Sequence, residues 1–281
     1  MDVFIGFDSA WTDNAKAPGA ICAVAMDGTS PIAFYPPQLA SFDQALAFIQ
    51  QVRSKDGVTL MALDQPTIVP NATGMRPVER AAASLISWLG GGVQPSNTGR
   101  VGMFCADSPV WRFLSELGAL EDPEQARIAT QGTFIMEAFP AISLASFEAS
   151  FFGRLSGPRY NPDRRKTFRL ADWGRVARAA GAQAEALGCA DLAAWCRDAA
   201  AIPQPRKADQ DRLDAALCTL IAFRWRRMPR SDSLLLGDLR TGYMVLPASE
   251  DVHAKLAIAS ARFGVPVDGR LICPSTGWPR S

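Results

Sequence analysis

The hydrophobic positions of this chain fall into short continuous runs separated by longer stretches with helical spacing. Continuous apolar runs of four to seven residues are typical of buried strands. The turn signal Asp27-Gly28 lies between two of these runs and indicates a hairpin. The predicted core strands cover residues 3–7, 20–25, 32–35 (ended by Pro36-Pro37), 58–63 and 132–138.

Apolar residues recur at intervals of three and four between and after these strands, which predicts helices. The first helix begins at Ser41, a residue type that caps helix N-termini. The predicted helices cover residues 41–53, 77–89, 108–117, 141–152 (helical or mixed), 167–187, 190–200, 207–228 and 249–263, and a further strand covers 243–246. Strands that alternate with helices predict an α/β fold.

Three of the predicted strands end in an acidic residue. Asp8, Asp64 and Glu137 each follow directly on an apolar run. Asp8 and Asp64 taken alone are also typical of a turn or a cap, whereas Glu137 has apolar residues on both sides, where a carboxylate usually has a partner. Open α/β sheets, however, place their sites at the carboxyl ends of strands, so we expect these side chains to lie close together.

Two further acids lie on one face of helix 207–228. Asp214 is three and four residues before Leu217 and Cys218, on the apolar stripe of the helix, and Asp211 lies one turn earlier. The alternative is an acidic first turn that favours the helix dipole, a role that Asp209 fills best. The inward position of Asp214 favours a site.

Gathered carboxylates repel each other unless a cation neutralises them. Mg²⁺ and Mn²⁺ prefer carboxylate oxygens, so the sequence predicts a site for one of these ions as cofactor. A pair of such ions catalyses phosphoryl transfer without a histidine. The predicted catalytic residues are Asp8, Asp64, Glu137 and Asp214, and the predicted metal ligands are these four and Asp211.

Composition narrows the alternatives. The 281 residues carry a net charge of +1, so a nucleic acid or other phosphate-bearing partner requires a local patch. His253, the single histidine, lies in a predicted surface helix, which argues against a catalytic triad or a histidine-ligated zinc site. Six scattered cysteines without a C-x-x-C pair, no signal peptide and no membrane-length apolar run predict a cytoplasmic protein with reduced thiols.

Two segments predict substrate contacts. The basic loop 153–166 places cations beside a tyrosine that can stack on a base. The loop after Asp64 offers further polar groups, with the alternative that Arg76 pairs with Glu79 to cap the next helix. The predicted substrate-binding residues are Asn71, Arg76, Glu79, Arg159, Tyr160, Arg164, Arg165 and Lys166.

Four motifs in this order resemble those of an uncharacterised bacterial family of predicted ribonuclease H-like nucleases. They are Phe4-Ile-Gly-Phe-Asp-Ser, Ala62-Leu-Asp-Gln-Pro, Met136-Glu-Ala-Phe-Pro and Asp211-Arg-Leu-Asp-Ala-Ala. The resemblance implies a ribonuclease H-like mixed five-stranded sheet, its first three strands antiparallel, flanked by helices. It places that domain at residues 1–228, with a helical insertion at about 153–205 and a C-terminal extension, 229–281, on the same domain.

The first hypothesis for function is a metal-dependent nuclease or phosphodiesterase. A second is an actin-like phosphotransferase, because residues 4–12 resemble the first phosphate loop of that class, which also needs duplicated halves. A third is a non-catalytic nucleic-acid-binding or interaction module on the same fold.

Overall fold

The computed structural model describes residues 1–271, which are built around a mixed five-stranded sheet. Its strand order is β3-β2-β1-β4-β5. Strands β1, β2 and β3 are antiparallel neighbours, whereas β4 pairs parallel with both β1 and β5. The predicted mixed sheet is therefore confirmed, and β1 and β4 lie side by side. The strands are β1 (Asp2–Asp8), β2 (Gly19–Asp27), β3 (Ser30–Ala40), β4 (Val58–Leu63) and β5 (Gly132–Glu137).

Helices cover both faces of this sheet, and their bounds follow the predicted ones closely. They are α1 (Phe42–Val52), α2 (Pro77–Trp88), α3 (Pro109–Leu117), α4 (Pro123–Ile128), α5 (Pro140–Phe147), α6 (Leu170–Ala186), α7 (Ala190–Ala200), α8 (Lys207–Arg227) and α9 (Glu250–Phe263). Alternate residues of β1 divide between the two faces, as the strand pleat requires. Val3, Ile5 and Phe7 pack with α1 and α3, whereas Phe4 packs with α8.

Helix α8 crosses the sheet against β1 at a distance that only glycine permits. A Cβ atom added to Gly6 would lie 2.0 Å from the carbonyl oxygen of Ala215 and 2.2 Å from the backbone nitrogen of Thr219. The Thr219 hydroxyl also donates to the carbonyl oxygen of Cys22, at 3.3 Å. This contact brings the N-terminal half of α8 over the end of β1, where Asp8 lies.

The chain after α8 forms a second, smaller sheet. It contains β6 (Ser233–Asp238), β7 (Gly242–Pro247), β8 (Pro266–Val267) and β9 (Arg270–Leu271) in the order β7-β6-β8-β9. Its apolar side chains share one buried cluster with α2, α5 and α9. Up to residue 271 the extension thus packs on the preceding residues, while 272–281, with Cys273, lie outside the described part of the chain.

Three local predictions were wrong. Strand β3 continues through Pro36-Pro37 to Ala40, because it is an edge strand whose outer side needs no backbone donors. Helix α4 and strand β6 were not predicted. Within the described residues, no helix combines the length and apolarity that a membrane crossing requires.

Candidate functional site

Asp8 and Asp64 lie side by side at the carboxyl ends of β1 and β4. The backbone N–H of Asp64 donates to the carbonyl oxygen of Phe7 at 2.9 Å, which extends the parallel ladder by one residue and fixes this neighbourhood. The indole N–H of Trp11 donates to the carbonyl oxygen of Asp64 at 3.0 Å. Asp8 is 8% exposed and Asp64 is half-buried. The adjacency predicted for these two acids is confirmed.

Helix α8 brings Asp211 and Asp214 to the same place. Asp214 is 5% exposed and receives two hydrogen bonds. The Tyr160 hydroxyl donates to Oδ1 at 2.8 Å, and the amide of Gln210 donates to Oδ2 at 2.9 Å. Asp211 is also buried. We call Asp8, Asp64, Asp211 and Asp214 the acid centre.

Burial and mutual repulsion raise the proton affinity of this centre. Burial raises the pKa of Asp8 well above its ordinary value, and the charges of Asp214 and Asp64 raise it further. Burial and the charge of Asp214 do the same to the pKa of Asp64. Burial also raises the pKa of Asp214, to about 6, against the opposing influence of Lys207 and the two hydrogen bonds.

Lys207 is the cation that faces these acids. Its ammonium group donates to Asp211, one turn along α8. Burial lowers the pKa of Lys207, but the charges of Asp8, Asp214 and Asp211 outweigh it and hold the pKa above its ordinary value. A single ammonium charge does not balance four ionised carboxylates, so the acid centre favours the uptake of protons or of a further cation.

The side-chain oxygens of Asp8 and Asp64 have no hydrogen-bond donors in the described part of the chain, which fits a cation site. Within residues 1–271, no hydrogen bond reaches a side-chain oxygen of Asp8 or Asp64, although Asp8 is buried and Asp64 is half-buried. Buried carboxylates without donors are costly unless a cation coordinates them. The described side chains are not arranged as a preformed shell of three or more ligands. Asp8, Asp64, Asp211 and Asp214 would therefore hold a divalent ion only after side-chain rotation and displacement of Lys207.

Glu137, the third strand-end acid, has a different environment. Both of its oxygens accept from the guanidinium of Arg76, at 2.6 and 2.8 Å, and Arg76 also pairs with Glu79 at 2.9 Å. Burial raises the pKa of Glu137 to about 7 although the Arg76 charge opposes this. The alternative that Arg76 pairs with Glu79 at the start of α2 is confirmed. The role of Glu137 as a ligand stays a prediction, and its release from Arg76 would be costly.

The other predicted substrate residues divide into buried and exposed groups. Tyr160 contacts the acid centre directly, whereas Asn71 holds its own loop by donating to Ser96 at 2.9 Å. Arg159 donates to the carbonyl oxygen of Gly90. Three cations extend from the loop into solvent without a charged partner among residues 1–271: Arg164, Arg165 and Lys166.

Two cavities adjoin the acid centre, and Gly92 and Arg164 line both. The first, about 160 Å³, is largely apolar and reaches Tyr160 and Gln210. The second, about 350 Å³, reaches Asp64 and the Arg76 ion pairs. We call the second one the Asp64 cavity. The arrangement joins a centre of negative charge to enclosed space with a cation at its mouth.

Comparison with protein-family models gives one match, over residues 6–234, to the family described as "Protein of unknown function (DUF429)". The chain belongs to this family. The matched region contains every acid of the acid centre and ends inside β6. Comparisons of this DUF429 member with curated proteins and with solved structures gave no significant match.

Sequence reasoning on this DUF429 member missed four residues beside the acids. Lys207 and Gln210 precede Asp211 and Asp214 by four residues, so the helical period of α8 carried the signal that places them together. Trp11 and Ser96 lie in loops. Loop positions have no periodicity, and no local pattern points to them.

Proposed function

We propose that this protein is a metal-dependent phosphodiesterase that acts on nucleic acid, built on a ribonuclease H-like sheet. The observation that carries the proposal is the pair of donor-free carboxylates, Asp8 and Asp64, facing Asp214 at the junction of β1, β4 and α8. The strand order β3-β2-β1-β4-β5 and the acids at the ends of its parallel strands support it.

The side chains have separate roles in this proposal. Asp8, Asp64 and Asp214 hold the metal, and Asp211 is a fourth ligand that Lys207 now neutralises. When bound, Mg²⁺ or Mn²⁺ activates water and stabilises charge on the leaving oxygen of a phosphodiester. Tyr160 and Gln210 orient the Asp214 carboxylate through their hydrogen bonds. Burial of the acids excludes bulk water, which strengthens their hold on a cation.

The exposed cations of the basic loop attract the substrate backbone. Arg164 lines both cavities, and Arg165 and Lys166 follow it at the surface. Phosphate contacts of this kind position a nucleic acid without reading its sequence. Because the net charge of the chain is only +1, this local patch carries the attraction.

Thermal unfolding of the wild type and of Asp214→Asn in EDTA, Mg²⁺ and Mn²⁺ tests the metal site. A ligand that binds only the folded state raises the melting temperature, so Mn²⁺ should stabilise the wild type and not the variant. In EDTA the variant should melt at or above the wild-type temperature, because one of several repelling charges is gone. Asp209→Asn is the matched control, since Asp209 lies in the first turn of α8 and caps Arg206.

Cleavage of labelled single-stranded and duplex DNA and RNA in Mn²⁺ then tests the activity. Asp64→Asn and Asp214→Asn should abolish it and leave the fold intact, whereas retained activity in both variants contradicts the proposal. Metal binding and nucleic-acid binding without turnover would favour the interaction module. The actin-like alternative has no support in residues 1–271, where the second sheet has a different strand order from the first.

A further inference from the structure

The Asp64 cavity has the size of a ligand pocket and shares a wall with the acid centre. Its volume of about 350 Å³ is within the range of roughly 300–1,000 Å³ that small-molecule sites cover. Asp64 lines it on one side, and the Arg76 ion pairs line it on another. The part of a substrate that lies in this cavity would be covalently next to a phosphate beside the acid centre.

The charges of the lining exclude a phosphate from the interior. Arg76 is neutralised by Glu137 and Glu79, which lie on either side of its guanidinium. The remaining cation of the lining, Arg164, is exposed at the mouth. A phosphate therefore stays outside, at Arg164, and the part of the substrate that enters is uncharged.

A buried hydroxyl in the lining lacks a hydrogen-bond partner. Ser96 is fully buried, and its Oγ has none within residues 1–271. The backbone of Ser96 is held on both sides, because its N–H donates to Glu79 at 3.0 Å and its carbonyl oxygen accepts from Asn71 at 2.9 Å. The hydroxyl is thus fixed in the cavity wall, where it is covered from solvent and its hydrogen-bonding capacity is unused within the described residues.

The rest of the lining suits a flat, polar ring. Trp11 and Phe139 supply aromatic faces, and the exposed amide of Gln94 lies at the edge. Trp11 has φ of 45°, in the left-handed region that non-glycine residues rarely adopt, and its indole N–H is held by the Asp64 carbonyl oxygen. Aromatic faces combined with hydroxyl and amide groups are what single-stranded nucleic-acid sites use to hold bases.

We propose that the Asp64 cavity binds one unpaired nucleobase of the substrate, with Ser96 contacting its polar edge and the adjoining phosphate lying at Arg164, beside the acid centre. This inference rests on the proposed function and narrows its substrate class to single strands and frayed ends. A base inside the cavity is out of any duplex, so duplex DNA or RNA without an unpaired end is a poor substrate.

Binding of the four ribonucleoside 5′-monophosphates and of ribose 5-phosphate, measured by ligand-observed NMR in EDTA, tests the inference. At least one nucleotide should bind, and ribose 5-phosphate should bind about tenfold more weakly or not at all, because it lacks the base. Val93→Trp, which places a large ring in the cavity wall, should abolish nucleotide binding. Ser96→Ala should weaken it several-fold, whereas Ser260→Ala, which removes an equally buried and unpartnered hydroxyl elsewhere, should not.

The melting-temperature shift in Mn²⁺, measured on the same samples, separates this inference from the proposed function. Nucleotide binding without a Mn²⁺ shift or cleavage keeps the base pocket and contradicts the phosphodiesterase. If Val93→Trp and Ser96→Ala leave both the Mn²⁺ shift and cleavage unchanged, the base pocket is overturned and the phosphodiesterase stays in place. Binding of ribose 5-phosphate as tight as that of the nucleotides has the same meaning. If Val93→Trp alone loses the Mn²⁺ shift, that variant has disturbed the acid centre. Nucleotide binding by Ser96→Ala and by Ser260→Ala then tests the base pocket: equal binding by the two variants overturns it.

Discussion

At the scale of single residues, the acid centre is defined by which carboxylates have donors and which do not. Asp214 receives hydrogen bonds from Tyr160 and Gln210, whereas Asp8 and Asp64 receive none from side chains or backbone in residues 1–271. A carboxylate held by two donors keeps a fixed orientation. In the proposed metal site Asp214 is therefore the oriented ligand, and the two strand-end acids have no donor among the described residues that opposes rotation toward a cation.

Tyr160→Phe should weaken Mn²⁺ binding by about tenfold without unfolding the protein, because outer hydrogen bonds to metal ligands typically contribute that much. Titration with Mn²⁺ followed by melting temperature measures it. Tyr35→Phe is the matched control, since Tyr35 lies on edge strand β3, away from the acids. Equal Mn²⁺ affinity in Tyr160→Phe and the wild type would show that the hydroxyl does not orient Asp214.

Most of the acid centre was predictable from the sequence, because an acid at the end of an apolar run is a local signal. Asp8 and Asp64 have that signal, and the adjacency of β1 and β4 makes it a shared site. Glu137 has the same signal and a different environment. The difference arises from Arg76, which is 61 residues away in sequence and reaches Glu137 only in the folded chain.

At the scale of elements, the pairing of β1 with α8 positions the acids. Gly6 sets the distance between β1 and α8 in the middle of the strand. Asp2, at the start of β1, joins the strand to the C-terminal end of the helix. The carboxylate of Asp2 accepts from Arg226 at 3.0 Å and forms an ion pair with Arg227 at 2.9 Å, near the C-terminus of α8. The separation of Asp8 from Asp214 therefore depends on contacts distributed along the whole strand.

Gly6→Ala should destabilise the protein by about 2–3 kcal/mol or more, because the new methyl group overlaps the α8 backbone and the elements must separate. Chemical denaturation measures the change. Gly92→Ala is the control, since a Cβ atom there meets nothing within 4 Å. Gly6→Ala should also lose its stabilisation by Mn²⁺, because the separation of β1 from α8 moves Asp214 away from Asp8. Unchanged stability would mean that α8 is not held against β1 as the structure shows.

Asp2, at the end of the β1–α8 contact away from the acids, makes the stability of that contact depend on pH. Burial alone would raise its pKa, but hydrogen bonds from Arg226 and the Val58 N–H outweigh burial and lower the pKa below 3.8. The stabilisation is therefore present above pH 3.8 and is lost as the pH falls below that value. Asp2→Asn should cost about 2 kcal/mol at pH 7 and less at pH 3, measured by urea denaturation. Asp27→Asn, at the exposed end of β2, should cost little at either pH.

The elements that were missed have weak local signals. Strand β6 contains Leu234-Leu-Leu, an apolar run too short to distinguish a strand from a helix without knowing its partner β7. Helix α4 has only six residues. Strand β3 was predicted too short because two prolines usually end a strand, and its edge position and the register shift opposite the prolines explain why they do not.

At the scale of the whole molecule, the C-terminal extension closes the side of the fold that holds the Arg76 ion pairs. The Tyr243 hydroxyl accepts from the backbone N–H of Glu137 at 3.1 Å. Gly242, with φ of 103°, lies so close to Arg76 that a Cβ atom would be 2.9 Å from its side chain. The extension thus completes the environment of Arg76 and belongs to the same core.

Removal of residues 229–281 should abolish cooperative unfolding, because α2 and α5 would expose the apolar cluster that they share with β6, β7 and α9. Near-ultraviolet circular dichroism and thermal unfolding of the shortened chain measure this. A chain ending at residue 271 is the control and should unfold cooperatively. A soluble, cooperatively folded chain of residues 1–228 would show instead that the first sheet is stable without the extension.

The position of Lys207 has a consequence for the proposed metal site. Because the ammonium group is tethered to the helix that carries Asp211 and Asp214, it is an intramolecular competitor at high effective concentration. An incoming ion must displace it, and monovalent ions bring no more charge than it already supplies. In the proposed site Lys207 would therefore set a threshold that favours divalent ions over sodium or potassium, and its charge offsets part of the mutual repulsion of the acids.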